Sequence, residues 1–419
     1  MSKQVLLGDH ISTQKGFAFK SKWFVGAGRD IVKVSDFTSD SIDSDGLMKI
    51  AEDLGEQYSR YALATGDVVI QTVGSWPSNP ASVVGKTVRV PKAVNGALLN
   101  QNAVKITPNE TINQGFLYYL LRSDNFKEYI IGTAQGAASQ ASITLDSIKR
   151  YKFELPKIQE QAAIAEHLEK YDNLIENNNR RIAILEDMAQ SLYREWFVKF
   201  RYPGHEDSLD ASGNPKLVES PIGQIPEDWE VKTAAEAITI NPRTKLAKEG
   251  EKPFVGMSGL SESSMVISDI IEKSGNSGAK FINGDTLFAR ITPCLQNGKT
   301  GYVQFLNQEQ PVGFGSTEFI VLRESEDLSS EYIYLLSRSN NFREHAIKSM
   351  TGATGRQRVH PDSFASYYLA VPPKMVMNEF TKLVKPMFKS IFNLSQRNQN
   401  LKQQRDMLLP KLISGQIER

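Results

Sequence analysis

From Ile164 a seam of mostly apolar positions steps by four and three in alternation: Ile164, Leu168, Tyr171, Ile175, Asn178, Ile182, Leu185, Ala189, Leu192 and Trp196. The pattern runs for more than four heptads without a proline. It predicts a long helix with a narrow apolar seam suited to a coiled-coil partner. Displaced by 216 residues, the same positions hold Phe380, Val384, Met387, Ile391, Leu394, Asn398, Leu401, Arg405, Leu408 and Leu412, again mostly apolar. Each helix would extend about 50 Å along its seam at a rise of 1.5 Å per residue. The competing expectation is two amphipathic helices, each packed on its own domain.

Ahead of each seam the periodicity changes. Short β-prone runs at 30–36, 67–72 and 103–107 are bounded by glycine, asparagine or proline, and runs at 285–290, 301–305 and 318–322 do the same in the second half. Gly66-Asp67 and Gly284-Asp285 are matching turn dipeptides before a strand, and Gly85-Lys86 and Gly298-Lys299 follow at a similar distance. One helix is expected in each half, near 114–131 and 330–349. Its apolar residues, such as Phe116, Leu117, Leu120 and Leu121, recur at helical spacing. The domain therefore reads as α+β, a small twisted sheet or partial barrel with a few helices.

These likenesses are a duplication. Residues 116–157 return without a gap at 332–373, and 14 of those 42 positions are identical, among them Arg122/Arg338, Phe126/Phe342, Gly136/Gly352, Asp146/Asp362, Tyr151/Tyr367 and Pro156/Pro372. So long a period excludes a solenoid and implies two copies of a whole domain. Residues 201–228 carry four prolines and three glycines and read as an irregular linker ending in the second domain's start. The expected order is a domain over 1–156, a helix over 157–200, a linker over 201–222, a domain over 223–372 and a helix over 373–419.

Antiparallel pairing of the two helices would give the duplicated chain pseudo-twofold symmetry, with the two globular heads at opposite ends. Setting Ile164 opposite Leu412 then puts Asn178 opposite Asn398, where two asparagines would satisfy each other inside the seam. The same alignment puts Tyr171 opposite Arg405, so that the guanidinium could lie on the ring.

Composition narrows the classes. The chain has 419 residues, room for two or three domains with sizeable cores. A formal net charge of +1 argues against a histone-like binder but leaves local basic patches open. The single cysteine, Cys294, excludes an internal disulfide and points to a reducing compartment, so a cytoplasmic location is expected. No run approaches eighteen apolar residues and the start has no cleavage signal, so no membrane partner is expected.

Several tempting motifs lack their context. The glycines at 24–28 do not follow a buried strand and open a helix, and no phosphate-binding glycine loop with its lysine is present. Asn79-Pro80 lacks the proline and aromatic residue that an amino-methyltransferase motif would continue with. The histidines have no zinc spacing and Cys294 has no base beside it in sequence. No catalytic, metal or cofactor-binding residue is expected in this chain.

The helix start LPKIQEQAAIAEHL at 155–168, the GQIPEDWEV opening at 223–231 and the closing LLPKLISGQI at 408–417 resemble the DNA-specificity subunits of type I restriction–modification systems. The resemblance covers nearly the whole chain. It departs at the second helix start, where Val376-Met377 stands in place of the Glu-Gln pair at 160–161. It implies two duplicated target recognition domains separated by two long antiparallel helices that form a coiled coil. Each domain would read one half of a bipartite double-stranded DNA target, while the helices act as a spacer and bind methyltransferase (modification) subunits and, through them, restriction/translocase subunits. S-adenosylmethionine, ATP and magnesium would belong to those partners. Two alternatives stay open: a stand-alone DNA methyltransferase with recognition heads, and a duplicated adaptor that never touches DNA.

If the chain reads DNA, it needs donors and acceptors aimed into a groove and cations on flanking phosphates. Three loop regions in each half suit this. The first holds Gln14, Lys15, Phe17, Lys20 and Lys22, matched by Arg243, Lys245, Lys248 and Lys252. The second holds Gln71, Thr72, Ser75 and Trp76, matched by Arg290, Thr292, Gln296 and Lys299. The third is a glycine-rich turn with Gln135, Ser139 and Gln140 in one copy and Thr354, Arg356, Gln357 and Arg358 in the other. A shared frame with different side chains would let two heads read different sequences. The plainer alternative is that these are solvated loop residues.

Overall fold

The computed structural model describes residues 4–78, 82–137, 140–208, 216–353 and 355–416. The chain divides into two compact units, Met1–Leu174 with Asn400–Arg419, and Ile175–Gln399.

The first unit closes its first strand onto its last: Gln4–Leu6 pairs antiparallel with Lys152–Glu154. Between them, Ile11–Lys15, Ala103–Pro108, Val68–Gln71 and Thr87–Arg89 form an antiparallel sheet in that order. All four residues of Val68–Gln71 are buried, as expected of an inner strand covered on both faces. A second sheet runs Phe24–Val25, Met48–Ile50, Arg29–Val32, Leu98–Leu99, its last pair parallel.

The second unit repeats this plan. Glu230–Thr233 closes onto Tyr368–Val371. Thr239–Ile240, Phe319–Arg323, Thr286–Ala289 and Thr300–Tyr302 form the antiparallel sheet. Ile270–Ser274, Glu251–Val255, Gly313–Gly315 and Ala279–Phe281 form the other, again with one parallel pair. The matched Gly-Asp turns do the same work in both. The Asp67 carboxylate accepts the Ala64 N–H at 2.8 Å and lies 3.4 Å from Lys105 Nζ. Asp285 accepts the Ile282 N–H at 2.7 Å and two Arg323 N–H groups at 2.7 Å each.

Three expectations need correction. The single helix expected in each half is two: Gln114–Leu120 then Asp124–Gly132, and Ser330–Arg338 then Asn340–Lys348. The cause is a repeated serine. Ser123 and Ser339 adopt extended backbone and their hydroxyls accept the N–H groups of Phe126 and Phe342, which starts a new helix at each. The strand expected over 30–36 ends at Val32, because the Asp36 carboxylate turns back to accept the Lys33 N–H at 2.7 Å. The segment expected to be irregular linker contains Leu217–Ser220, hairpinned with Gly223–Pro226 around a turn in which Gly223 has φ 98°.

The heptad seams are helices Ile158–Phe197 and Lys374–Ile413, each of 40 residues. In the first unit, Ile164, Leu168, Leu409 and Leu412 share one core with Phe116, Leu117 and Leu120. Gln161 anchors the helix start. Its Oε1 accepts the Asn113 N–H at 2.9 Å, and its Nε2 donates to the Thr111 and Pro156 carbonyls at 3.0 and 2.9 Å. In the second unit Met377 occupies that place and is buried, with Ser329 Oγ 3.5 Å from its sulfur, so apolar packing replaces the polar anchor.

Arg405, expected on the Tyr171 ring, is instead held by carboxylates. It donates to Asp172 and Asp406 and pairs with Asp40 at 3.6 Å. Asp172 also accepts the Tyr119 hydroxyl at 2.6 Å. Burial alone would lower the affinity of Arg405 for its proton, but the Asp172 charge and hydrogen bond more than offset this and raise it. The Tyr171 ring packs 6.2 Å from His167.

In the second unit the seam is aromatic, with Trp196 and Phe197 on Phe380 at 5.6 and 4.7 Å between ring centres. The Asn178 amide donates to the Asn398 oxygen at 2.8 Å, and the Asn398 amide donates to Asn179 at 2.8 Å. Glu186 ties the first long helix to the sheet domain by accepting the Met265 N–H at 2.6 Å and the Ser264 hydroxyl at 2.8 Å. Among the described residues no helix is long and apolar enough to cross a membrane.

Two expected outcomes follow from these buried polar groups. Asn178→Ala should cost about 1–3 kcal/mol, because the buried Asn398 side-chain oxygen loses its donor, whereas the double change of Asn178 and Asn398 to leucine should be near neutral. Thermal melts that rank the double below the single variant would contradict this. Burial raises the Glu186 carboxyl above its ordinary 4.5, against the Met265 N–H, the Ser264 hydroxyl and the Arg338 charge. The folded state then binds the proton more tightly than the unfolded, so this stabilisation is complete below the ordinary value and is lost as pH rises through the raised one. Glu186→Gln should therefore gain Tm relative to the parent as pH rises from about 4 to 8; an offset that is constant with pH would exclude the effect.

Candidate nucleic-acid interface

In the first unit the backbone gathers the three candidate loops at one end of the antiparallel sheet. Gly16 and Phe17 donate to the Ala103 and Leu99 carbonyls at 3.0 and 2.9 Å, and Thr72 donates to the Asn102 carbonyl at 2.8 Å. The glycine-rich turn proves to be a hairpin of Gln135–Ala137 and Gln140–Ser142, and its second strand pairs with Val73–Gly74. Trp76 Nε1 donates to the Ala137 carbonyl at 3.0 Å and pins the hairpin further. Gly136 has φ 155°, and a Cβ there would sit 2.0 Å from the Gln140 carbonyl oxygen, so the hairpin needs glycine at this position.

The side chains on this frame differ in reach. Gln135 and Gln140 are exposed, as are Lys15, Lys20 and Lys22. Lys20 Nζ sits 5.5 Å over the Trp23 ring. Phe17 is half-buried in an aromatic cluster, 4.5 Å from Tyr58 and 5.4 Å from Tyr61 between ring centres. Gln14 donates to the Arg60 carbonyl. Thr72 and Ser75 are buried, at 4% and 9% exposure, which corrects their placement on a reading surface. They lie beside an inner strand whose side chains turn into the core. Ser139 and Thr354 lie outside the described residues, as does Asn79-Pro80.

The second unit builds the same ladder. Arg290 N–H donates to the Glu318 carbonyl at 3.0 Å, and Val359 N–H donates to the Arg290 carbonyl at 2.9 Å. These match Thr72 to Asn102, and Ile143 to Thr72, in the first unit at 2.8 and 2.9 Å. Thr292 exchanges bonds with Gln357, donating its N–H at 3.0 Å and accepting on its hydroxyl at 3.1 Å. Arg358 bridges both Ile291 and Thr351. The second and third loops thus form one surface.

Arg356 is exposed on that surface, whereas Arg358 is tied to a carboxylate. Its Nε lies 3.0 and 2.9 Å from the two Glu318 oxygens and its Nη2 2.7 Å from one of them. The Arg358 hydrogen bond holds the Glu318 carboxyl below its ordinary value, against partial burial, with Arg290 adding to the effect. Arg243 and Lys245 are exposed after Thr239–Ile240, in a turn that Thr244 Oγ1 ties to Arg323 at 3.1 Å. Lys299 Nζ donates to the Met257 carbonyl at 3.3 Å. Lys252 is buried, with Nζ on the Ala247 and Glu249 carbonyls, so it serves the fold.

Glu318 escaped the sequence reading because an acidic residue looks out of place among groups meant for phosphate, and its partner lies 40 residues away. The available signal was the repeat itself, which carries Glu318 back onto Asn102.

Known proteins bear on this arrangement. The family described as Type I restriction modification DNA specificity domain matches residues 3–187 and 226–403, one segment per copy. The chain is 26% identical over 337 residues to the type I restriction enzyme MjaIX specificity subunit of Methanocaldococcus jannaschii, covering 78% of this chain and 74% of that one. It is 21% identical over 416 residues to the HindI specificity subunit of Haemophilus influenzae, covering 86% and 88%. Its fold resembles the crystal structure of a type I restriction–modification S subunit from M. genitalium, with TM-score 0.52, 15% identity and coverage of 98% and 95%.

An exposed guanidinium that meets a phosphate releases about one counterion. Arg356→Ala should therefore weaken duplex binding and lower the slope of log affinity against log salt by about one. An unchanged slope would show that Arg356 touches no phosphate.

Proposed function

This chain belongs to the type I restriction modification DNA specificity family, and from that membership we propose how its parts divide the task. The chain is a specificity subunit and contributes recognition; catalysis lies in partner subunits. Each unit reads one half of a bipartite duplex target. The surface formed by the second and third loops supplies the base and phosphate contacts, with Gln135 and Gln140 in the first unit and Arg290, Arg356, Gln357 and Arg358 in the second. The first-loop cations Lys15, Lys20, Lys22, Arg243 and Lys245 are suited to flanking phosphates.

The observation that carries this reading is the repeated backbone ladder with exchanged side chains. The same hydrogen-bonded rung joins Thr72 to Asn102 in one unit and Arg290 to Glu318 in the other, and beside it Ser142 pairs with Val73 where Arg358 pairs with Ile291. A frame held constant under changing polar groups suits two readers of different sequences, since direct readout depends on donor and acceptor placement. The long helices would carry the methyltransferase subunits, and through them the restriction/translocase subunits. S-adenosylmethionine, ATP and magnesium would be bound by those partners, in the cytoplasm.

Methylome sequencing of cells with and without this chain tests the reading. A two-part methylated motif should vanish when the chain is deleted. A motif that persists, or one without two separated halves, would refute it.

A further inference from the structure

The charged ladder of the second unit carries an inference that rests on the specificity reading and deepens it. Arg358 has five N–H donors in a planar fork. Glu318 takes the Nε edge, with Nε 2.9 Å from one carboxylate oxygen and Nη2 2.7 Å from the other. That uses the Nε hydrogen and one of the two on Nη2. The remaining Nη2 hydrogen and one Nη1 hydrogen form the end edge of the fork, whose paired spacing matches the O6 and N7 acceptors of guanine in the major groove.

The pair is also open and braced. The Arg358 side chain is 44% exposed and that of Glu318 23%. The Arg358 backbone is held by Thr351, which donates to it at 3.0 Å and accepts from it at 2.9 Å. The neighbouring Gln357 is held by Thr292. A long, rotamer-rich side chain is thereby restrained before any ligand arrives, which lessens the entropy lost on binding. The matching positions in the first unit, Asn102 and Ser142, hold no such charged pair.

We propose that Glu318 is a positioning residue for base recognition in the second unit: it grips the Nε edge of Arg358 so that the free edge reads a guanine, making one G·C pair a requirement of that unit's half-site. A surface pair that merely staples the hairpin would have no effect on base preference. Glu318 itself need not touch DNA.

Methylomes of cells carrying the full chain as parent, Arg358→Ala or Glu318→Gln distinguish these. The parent should require a G·C pair in one half of its motif. Arg358→Ala should relax that pair by about tenfold or more, the loss of one bidentate contact. Glu318→Gln, which keeps Arg358 but weakens its grip, should relax the same pair less and leave the other half unchanged. Unaltered motifs in both variants would overturn the proposal. Loss of both halves together would also overturn it, since the pair would then serve the fold. A parent without any bipartite motif would instead defeat the specificity reading itself, and this inference with it.

Discussion

Two buried asparagine side chains meet in an apolar seam, the Asn178 amide donating to the Asn398 oxygen, and select one alignment of the long helices. Sliding one helix by a heptad would set Asn178 against Ile391 or Arg405 and leave a buried amide without its partner. Much of each core follows from that alignment. In the first unit it brings Leu409 and Leu412 to Ile164 and Leu168, and Arg405 to Asp172. In the second it brings Phe380 to Trp196 and Phe197. In each unit the last strand, closed onto an early one, then delivers the chain directly into the helix, so head and helix share one hydrophobic core.

Duplication preserved the backbone and released the side chains, and this holds in the core as well as on the surface. The shift that carries Tyr118 onto Tyr334 carries Asp172 onto Phe388. In the first unit the spot is a polar knot of Tyr119, Asp172 and Arg405. In the second it is a stack in which Phe388 meets Tyr302 at 4.9 Å and Tyr334 at 5.6 Å. Burial raises the Tyr302 hydroxyl well above its ordinary value, so it stays neutral and donates or accepts with Ser330 at 2.9 Å. Either chemistry fills the space, provided every polar atom finds a partner.

Much of the fold was legible in the chain because its signals are periodic. The heptads at 164–196 and their copy gave both long helices, and the asparagine alignment came from counting along them. The strands expected at 67–72, 103–107, 285–290 and 318–322 were legible to within a residue, whereas those at 30–36 and 301–305 end early, at Val32 and Tyr302. What was not legible depended on single side chains acting across space. Ser123 and Ser339 break a helix that looks continuous by periodicity. Thr72 and Ser75 look like loop donors, but their neighbours on the inner strand draw them into the core. Arg405 looks like a partner for Tyr171 along the seam, yet the carboxylates of Asp172, Asp406 and Asp40 converge on it. Lys252 reads as a free cation until Ala247 and Glu249 fold carbonyls over it, and Arg358 reads as one until Glu318 arrives from the turn before Phe319–Arg323.

The first unit is discontinuous: its body ends at Leu174 and is completed only by residues from Asn400 onward. On the ribosome the whole of Ile175–Gln399 must be made in between, a delay on the order of tens of seconds at usual elongation rates of roughly 5–20 residues per second. Throughout that interval Ile164 and Leu168 have no Leu409 or Leu412 to cover them, and Asp172 has no Arg405. The second unit, contiguous in the chain, can finish first. Nascent molecules therefore pass through a stage with one finished head and one sticky, half-built head, the stage at which a chaperone or an unwanted neighbour would find them.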